Sequence, residues 1–309
     1  MRRWRTFVLS HLPLRWRSPY GWIIGGGLLL IGIILILVRS LLSSGPHLIA
    51  PDTMSFSVSG RPTLLFAHAI GTVQIRAGSD GQVSIQAERH GLTHNIHLHD
   101  RQDSDVIHIT SDIDTDLLTA TWVDFLVLVP RQSGVQVDLQ NGGTLDVEGV
   151  SGQLDLRNTT GAIWVTNDNG DLTTTTDSGS IAITTFVGQL TASTQNGTIT
   201  TTNAHLKGHS ILQADSGTIN FHGSLDHEGS VMFHNTNGLI GVTLPKQSAF
   251  HVDATSLSSV LSTNFPGIRT DHLYGRNEAH GTFGTGPWAK ITIQSVSGSM
   301  LLQAETSNR

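Results

Sequence analysis

The chain contains no cysteine, which excludes a disulfide scaffold, a thiolate nucleophile, a Cys-ligated zinc and a Cys-held iron–sulfur cluster. Charge is also scarce: 14% of residues are Asp, Glu, Lys or Arg, against roughly 25% in an average soluble domain. Such a shortfall points to a membrane segment or to a β-rich surface of Thr, Ser, Asn and Gly, and both patterns are present. Familiar site motifs are missing too. There is no P-loop, HExxH, EF-hand loop or Rossmann fingerprint. A net charge of −6 argues against a general nucleic-acid binder. The 309 residues allow one to three domains and a real core.

The charge is unevenly spread. Residues 1–39 hold six of the 18 basic residues and no acid, so the rest of the chain is about −12 by formal count. The boundary is the uncharged run 21–38, GWIIGGGLLLIGIILILV. As a helix it spans about 27 Å, close to the hydrocarbon thickness of a bilayer. Its glycines weaken a water-soluble helix but are common in membrane spans. No A-x-A-like cleavage site follows, and Arg39 comes directly after it. The run is therefore expected to be an uncleaved transmembrane anchor. Five arginines precede it and one follows, which predicts a cytoplasmic N-terminus and an extracytoplasmic body. The expected layout is a basic cytoplasmic tail at 1–20, the helix at 21–38, a linker at 39–52, an extracytoplasmic domain at 53–305 and a tail at 306–309.

A nine-residue spacing runs through that body. Gly occurs at 143, 152, 161, 170, 179, 188 and 197, then more loosely at 208, 217, 229 and 238. After each Gly the second and fourth residues are mostly apolar, with polar residues between them. This is the period-2 mark of a strand with one buried face. The underlying period is eighteen. One class of repeat carries Leu145, Ile163, Ile181, Ile199, Ile219 and Ile240 at its second position. The other carries Leu154, Leu172, Leu190, Ser210 and Val231. Alternating Ile-type and Leu-type columns predict an all-β fold, a parallel β-solenoid of about 18-residue two-strand coils stacked like on like. An antiparallel meander of nine-residue hairpins explains the nine but not the alternation.

The pattern weakens on both sides. Gly71 and Gly81 lead short alternating runs, and 95–99, 106–110 and 122–129 read as strands with a polar loop at 101–105. Residues 262–288 read as one long loop. Segments 50–130 and 245–305 are the expected covers for the ends of the stack.

An apolar anchor followed by VLVPRQSGVQVDLQNGGTLDVEGVSGQLDLRNTTGAIWVTNDNGDLTTTTDSGSIAI resembles the bacterial putative-adhesin domain of unknown function, which is similar to head-domain auto-transporter adhesins. The shared pattern is a strand ending in Pro (123–130), the glycine-led repeats and a closing Gly-led strand (297–302). The resemblance covers roughly residues 55–305. It implies an extracytoplasmic β-solenoid and supplies no catalytic residues.

Site chemistry is thin. Gly208-His209-Ser210 begins like a nucleophile elbow but lacks the closing Gly, and Ser210 falls on an inward column. Asp112, Asp114 and Asp116 alternate like calcium ligands, without the following Gly and Glu. Asn158 and Asn196 sit in glycosylation sequons. Histidine is abundant. If 95–99 and 106–110 pair as a hairpin, His97, His99 and His108 share one face and form a candidate metal site, set against the plainer reading of a solvated strand face. Outward Thr166, Thr184 and Thr202 form a rank resembling ice-binding surfaces, broken by Asp146, Glu148, Trp164 and His222. No cofactor is implied.

Two functions of different class remain. One is a non-enzymatic, membrane-anchored module for adhesion or envelope scaffolding, whose polar faces meet an envelope protein, a glycan or another copy. The other is a carbohydrate-active β-helix enzyme, in which outward Asp146, Glu148, Asp155 and Asp171 are expected to lie close together at one end of the regular coils and to bring two carboxylates within catalytic range.

Overall fold

A computed structural model describes residues 51–305 apart from 69, 92–94, 114–120 and 274. The apolar run 21–38 and the tail 306–309 lie outside the described residues, as do Asp114 and Asp116 of the candidate calcium loop. Among the described residues eighteen strands lie in one sheet, and no helix is long and apolar enough to cross a membrane.

The middle of the chain builds two parallel ladders. Strands β8 (Gly134–Leu139) and β9 (Gly143–Glu148) pair with the first and second halves of β10 (Ser151–Thr166). Strand β10 pairs along its length with the start of β11 (Asn169–Leu206), Gly152 facing Gly170 and Gly161 facing Gly179. The second half of β11 pairs with β12 (His209–Leu225), and β12 with β13 (Ser230–Leu244). All these pairings are parallel and match like with like. Leu154 faces Leu172 in what we call the leucine ladder, and Ile163 faces Ile181 in the isoleucine ladder. An antiparallel meander is thereby excluded for this region.

The alternation in the sequence sets the inside and outside of both ladders. Leu156, Leu172, Leu190 and Leu212 from one, and Val147, Ile163, Ile181 and Ile219 from the other, enter a single apolar cluster. The polar residues between them turn outward. At the corner between the ladders the backbones approach so closely that only glycine fits. A Cβ on Gly179 would lie 1.8 Å from the carbonyl oxygen of Gly161.

Both ends depart from the simple order. Strands β2 (Thr63–His68) and β3 (Gly71–Ala77) form a level between β8–β9 on one side and β6 (Val106–Ile113) with β7 (Trp122–Val129) on the other. Antiparallel strands finish this end. β4 (Gln82–His90) lies on β7, β1 (Asp52–Ser57) on β4, and β5 (Ile96–Asp103) on β6. At the other end β18 (Ala289–Ala304) lies between β13 and the pair β14 (Phe250–Ser256) and β15 (Leu261–Thr263). An antiparallel hairpin of β16 (Arg269–Leu273) and β17 (Arg276–Phe283) covers β14.

Two sequence expectations are corrected here. Residues 262–288 are not one loop, since β16 and β17 lie wholly within them. Residues 101–103 belong to β5 and not to a loop. β5 and β16 are edge strands, β17 is covered by β14 and β16, and all three have little or no buried face, so none carries the apolar alternation that reveals a strand.

Candidate functional site

The outer faces hold the candidate chemistry, and three of the four candidate carboxylates are paired with arginine. In the isoleucine ladder Asp146 stands between Gln74 and Trp164, and Glu148 between Arg76 and Thr166. Arg76 binds both acids: Nη2 donates to Asp146 Oδ2, and Nε lies 3.3 Å from Glu148 Oε2. The hydrogen bond that Arg76 donates to Asp146 leads the causes that hold its guanidinium above its ordinary pKa. Asp155 and Asp171 lie in the leucine ladder, where Asp155 takes Arg157 Nε at 3.3 Å. The two ladders bury their inner faces in one core, so the four carboxylates are divided between separate outer faces. The sequence expectation that they gather at one place is corrected: a nine-residue separation crosses the corner and changes face.

Trp164 is 47% exposed on an otherwise Thr- and Ser-rich surface. It faces Asp146 on one side and the small Ala182 on the other.

The histidine hairpin forms. His97 is opposite Asp112, His99 opposite Thr110, and His108 opposite Arg101. All three share the outer face, but His108 is diagonal to His99 and lines a shallow cavity of about 230 Å³ with Leu65, Thr110, Gln136 and Asp138. Among the described residues, no group of three or more His, Asp or Glu side chains is placed to hold a metal ion.

The remaining sequence candidates resolve into packing roles. Ser210 is fully buried, and its Oγ accepts from Leu190 N at 3.1 Å. Asn158 is buried as well, and its amide donates to the carbonyl oxygens of Gly143 (3.0 Å) and Ala162 (3.4 Å). Its side chain is thus enclosed, unlike that of the exposed Asn196.

Asn158 belongs to a buried polar column that sequence reasoning missed. Three residues before a corner glycine stand His68, Asn158, Thr176, Thr194, Asn235 and Ser295, all buried, in a column interrupted in register by the apolar Leu139 and Ala214. Asn235 donates to Gly217 O at 3.3 Å, and Ser295 Oγ donates to Asn235 Oδ1 at 3.0 Å. His68 reaches Ser111 Oγ and lies 3.0 Å from the Val123 carbonyl oxygen. Burial pushes His68 down to about 4, so the ring is neutral at pH 7. Within the column His68, Asn158 and Asn235 reach backbone carbonyl oxygens near the corner, whereas the hydroxyls of Thr176 and Thr194 are buried without a partner among the described residues. The signal is a polar residue of varying type three positions before most of these glycines.

The opposite corner uses positive φ. Gly149, Asn167, Thr185 and Asn203 take φ of 76°, 58°, 54° and 57°. Next to Asn167, Asp168 is 2% exposed. Its Oδ1 accepts from Val150 N at 2.5 Å, while Oδ2 is buried without a partner. Burial pushes this carboxyl up to about 7, against the backbone N–H bonds and Arg131, which pull it down.

No family model matches this chain, and no curated protein does. Among solved structures the chain is similar to a putative adhesin from Bacteroides fragilis NCTC 9343, at 11% identity and TM-score 0.40, covering 83% of this chain and 98% of that one. A putative adhesin from Parabacteroides distasonis ATCC 8503 aligns at 9% identity and TM-score 0.38, covering 83% of this chain and 97% of that one. A putative cell adhesion protein from Clostridium sporogenes ATCC 15579 aligns at 9% identity and TM-score 0.27, covering 83% of this chain and 100% of that one. At these scores the likeness transfers no function.

Proposed function

We propose that this chain is a non-enzymatic, membrane-anchored module for adhesion or envelope scaffolding. In this reading residues 21–38 form a single-pass helix with the N-terminus in the cytoplasm, and residues 53–305 form an extracytoplasmic β-solenoid. Parallel like-on-like pairing at eighteen residues from Gly143 to Gly179 supports the solenoid. The arginine bias supports the topology. The observation that carries the function is the state of the outer faces: level polar ladders whose acids at 146 and 148 are bound by Arg76. A glycosidase needs two unencumbered carboxylates across one bond. A repeated polar face instead offers many weak contacts, which many copies in one membrane convert to avidity.

The test uses intact cells carrying the chain with a tag before Met1. Cells with the chain should adhere to one another or to a glycan-coated surface more strongly as its density rises. External protease should abolish adhesion and remove the body while sparing the tag. A protected body overturns the topology. Cleavage of a polysaccharide by the native chain, lost when Asp146, Glu148 and Asp155 are together changed to Ala, overturns the non-enzymatic reading.

A further inference from the structure

Near the β16–β17 hairpin the outer face of the leucine ladder holds a cavity of about 310 Å³. His234, Gln294 and Thr255 stand side by side across its floor, opposite one another in β13, β18 and β14. Arg276 reaches it from β17. Leu257 and Val296, 54% and 41% exposed, form an apolar flank. Among the described residues none of the side chains of His234, Thr255, Gln294 and Arg276 has a hydrogen bond or ion pair. Arg76, Arg89 and Arg157, by contrast, are each bound to an acid, so the Arg276 guanidinium is left available to a ligand. Glu278 faces Thr255 in register, but it is outside the lining and makes no ion pair with Arg276.

We propose that this cavity binds an acidic sugar of a glycan, with Arg276 holding the carboxylate. The assignment rests on the adhesion reading and names the ligand class for it. A guanidinium free of protein partners offers the fork that carboxylates accept. The strands that carry the imidazole, amide and hydroxyl lie about 4.8 Å apart, a spacing that suits hydroxyl groups on alternate carbons of a pyranose ring. Leu257 and Val296 cover the C–H face of such a ring. The volume is at the small end for ligand sites and fits a single sugar unit. A peptide fits less well, because β13, β18 and β14 each have strand partners on both sides and leave no open edge for a peptide backbone to join.

The test measures binding by the full chain in detergent micelles. The probes are fluorescent trigalacturonate, its methyl ester and a short peptide with a free C-terminal carboxylate. The native chain should bind the acid at least tenfold more tightly than the ester. Arg276→Gln should weaken the acid at least tenfold and leave the ester unchanged, as expected for loss of a charge-assisted hydrogen bond. Gln294→Glu, at an exposed position, should repel the acid and spare the ester, which keeps the test independent of any folding effect of the first variant. Equal binding of acid and ester, indifference to both variants, binding of the peptide alone, or no binding at millimolar probe overturns the proposal. Product analysis of the same samples separates the two readings: shortened oligosaccharide refutes the non-enzymatic reading, while adhesion without probe binding refutes only the cavity.

Discussion

The regular middle and the two ends are built from the same strands under different rules. Between Gly143 and Leu206 each level lies on the one made just before it, and the register follows from a short sequence repeat. At the ends, spatial neighbours are distant in sequence. Gly71 lies against Gly143, and Gly238 against Gly298. The middle is thus specified locally, by glycine at the corner and Ile or Leu inside. The ends are specified by fit to a surface that must already exist, and antiparallel strands with charged residues at 97–103 and 269–272 close the exposed edges.

The largest effect should come from setting one substitution in the middle against the same one at an end. Ile181→Asp buries a carboxylate with no partner in the central core and should cost more than about 3 kcal/mol. Leu98→Asp changes a half-buried residue on the outermost hairpin and should cost about 1 kcal/mol, with hydrogen exchange rising in β5 and β6 alone. Thr184→Asp, on the exposed face, should remain within about 0.5 kcal/mol. Equal melting losses at 181 and 184 break the assigned faces.

An intermediate effect is expected at the corner carboxyl. Asp168 has a folded pKa of about 7 against 3.8 for the free group, so its native form holds the proton more tightly than the unfolded chain. Stability from this group is therefore present below pH 3.8 and lost as pH rises to about 7. Asp168→Asn should raise stability at pH 8 by on the order of 2–4 kcal/mol and change little below pH 4. His68 has the opposite sign. Its pKa falls from 6.5 to about 4, so its contribution is present above 6.5 and lost as pH falls to about 4. Between those values the two groups oppose each other, and denaturant titrations of native and Asp168→Asn chains across pH 4–8 should separate them. A pH profile identical to that of the native chain defeats the assignment.

The smallest effect concerns Thr185, a β-branched residue at φ 54° in a corner that elsewhere uses Gly or Asn. Thr185→Asn should raise the midpoint of thermal unfolding, with a gain of about 0.5–1 kcal/mol. A loss of stability at this site is the contrary result.

How much of this the sequence reveals divides along the same line. The inward columns through Ile163, Ile181 and Ile219 are readable because burial repeats at a fixed interval, and the pairing of 96–103 with 106–113 is readable from simple alternation. The placement of β18 beside β14 is not readable, since nothing local to either strand states a preference for the other. Arg76 and Asp146 are seventy residues apart and meet only because β3 lies on β9. Asp168 reads as an ordinary turn residue, because its burial depends on the level above. The cavity at Arg276 combines four strands and a corner, so no single motif contains it.

The position of β18 also bears on time. Residues 289–304 are last among the described strands in order of synthesis, yet they lie inside the stack, with β13 on one side and β14 and β15 on the other. Until they emerge, β14 has no parallel neighbour and β13 presents an open slot. The far end, with the cavity that Gln294 and Val296 help line, is therefore completed by a late closing step. A chain halted short of residue 289 holds the levels up to β13 but lacks the strand that joins its last third to them.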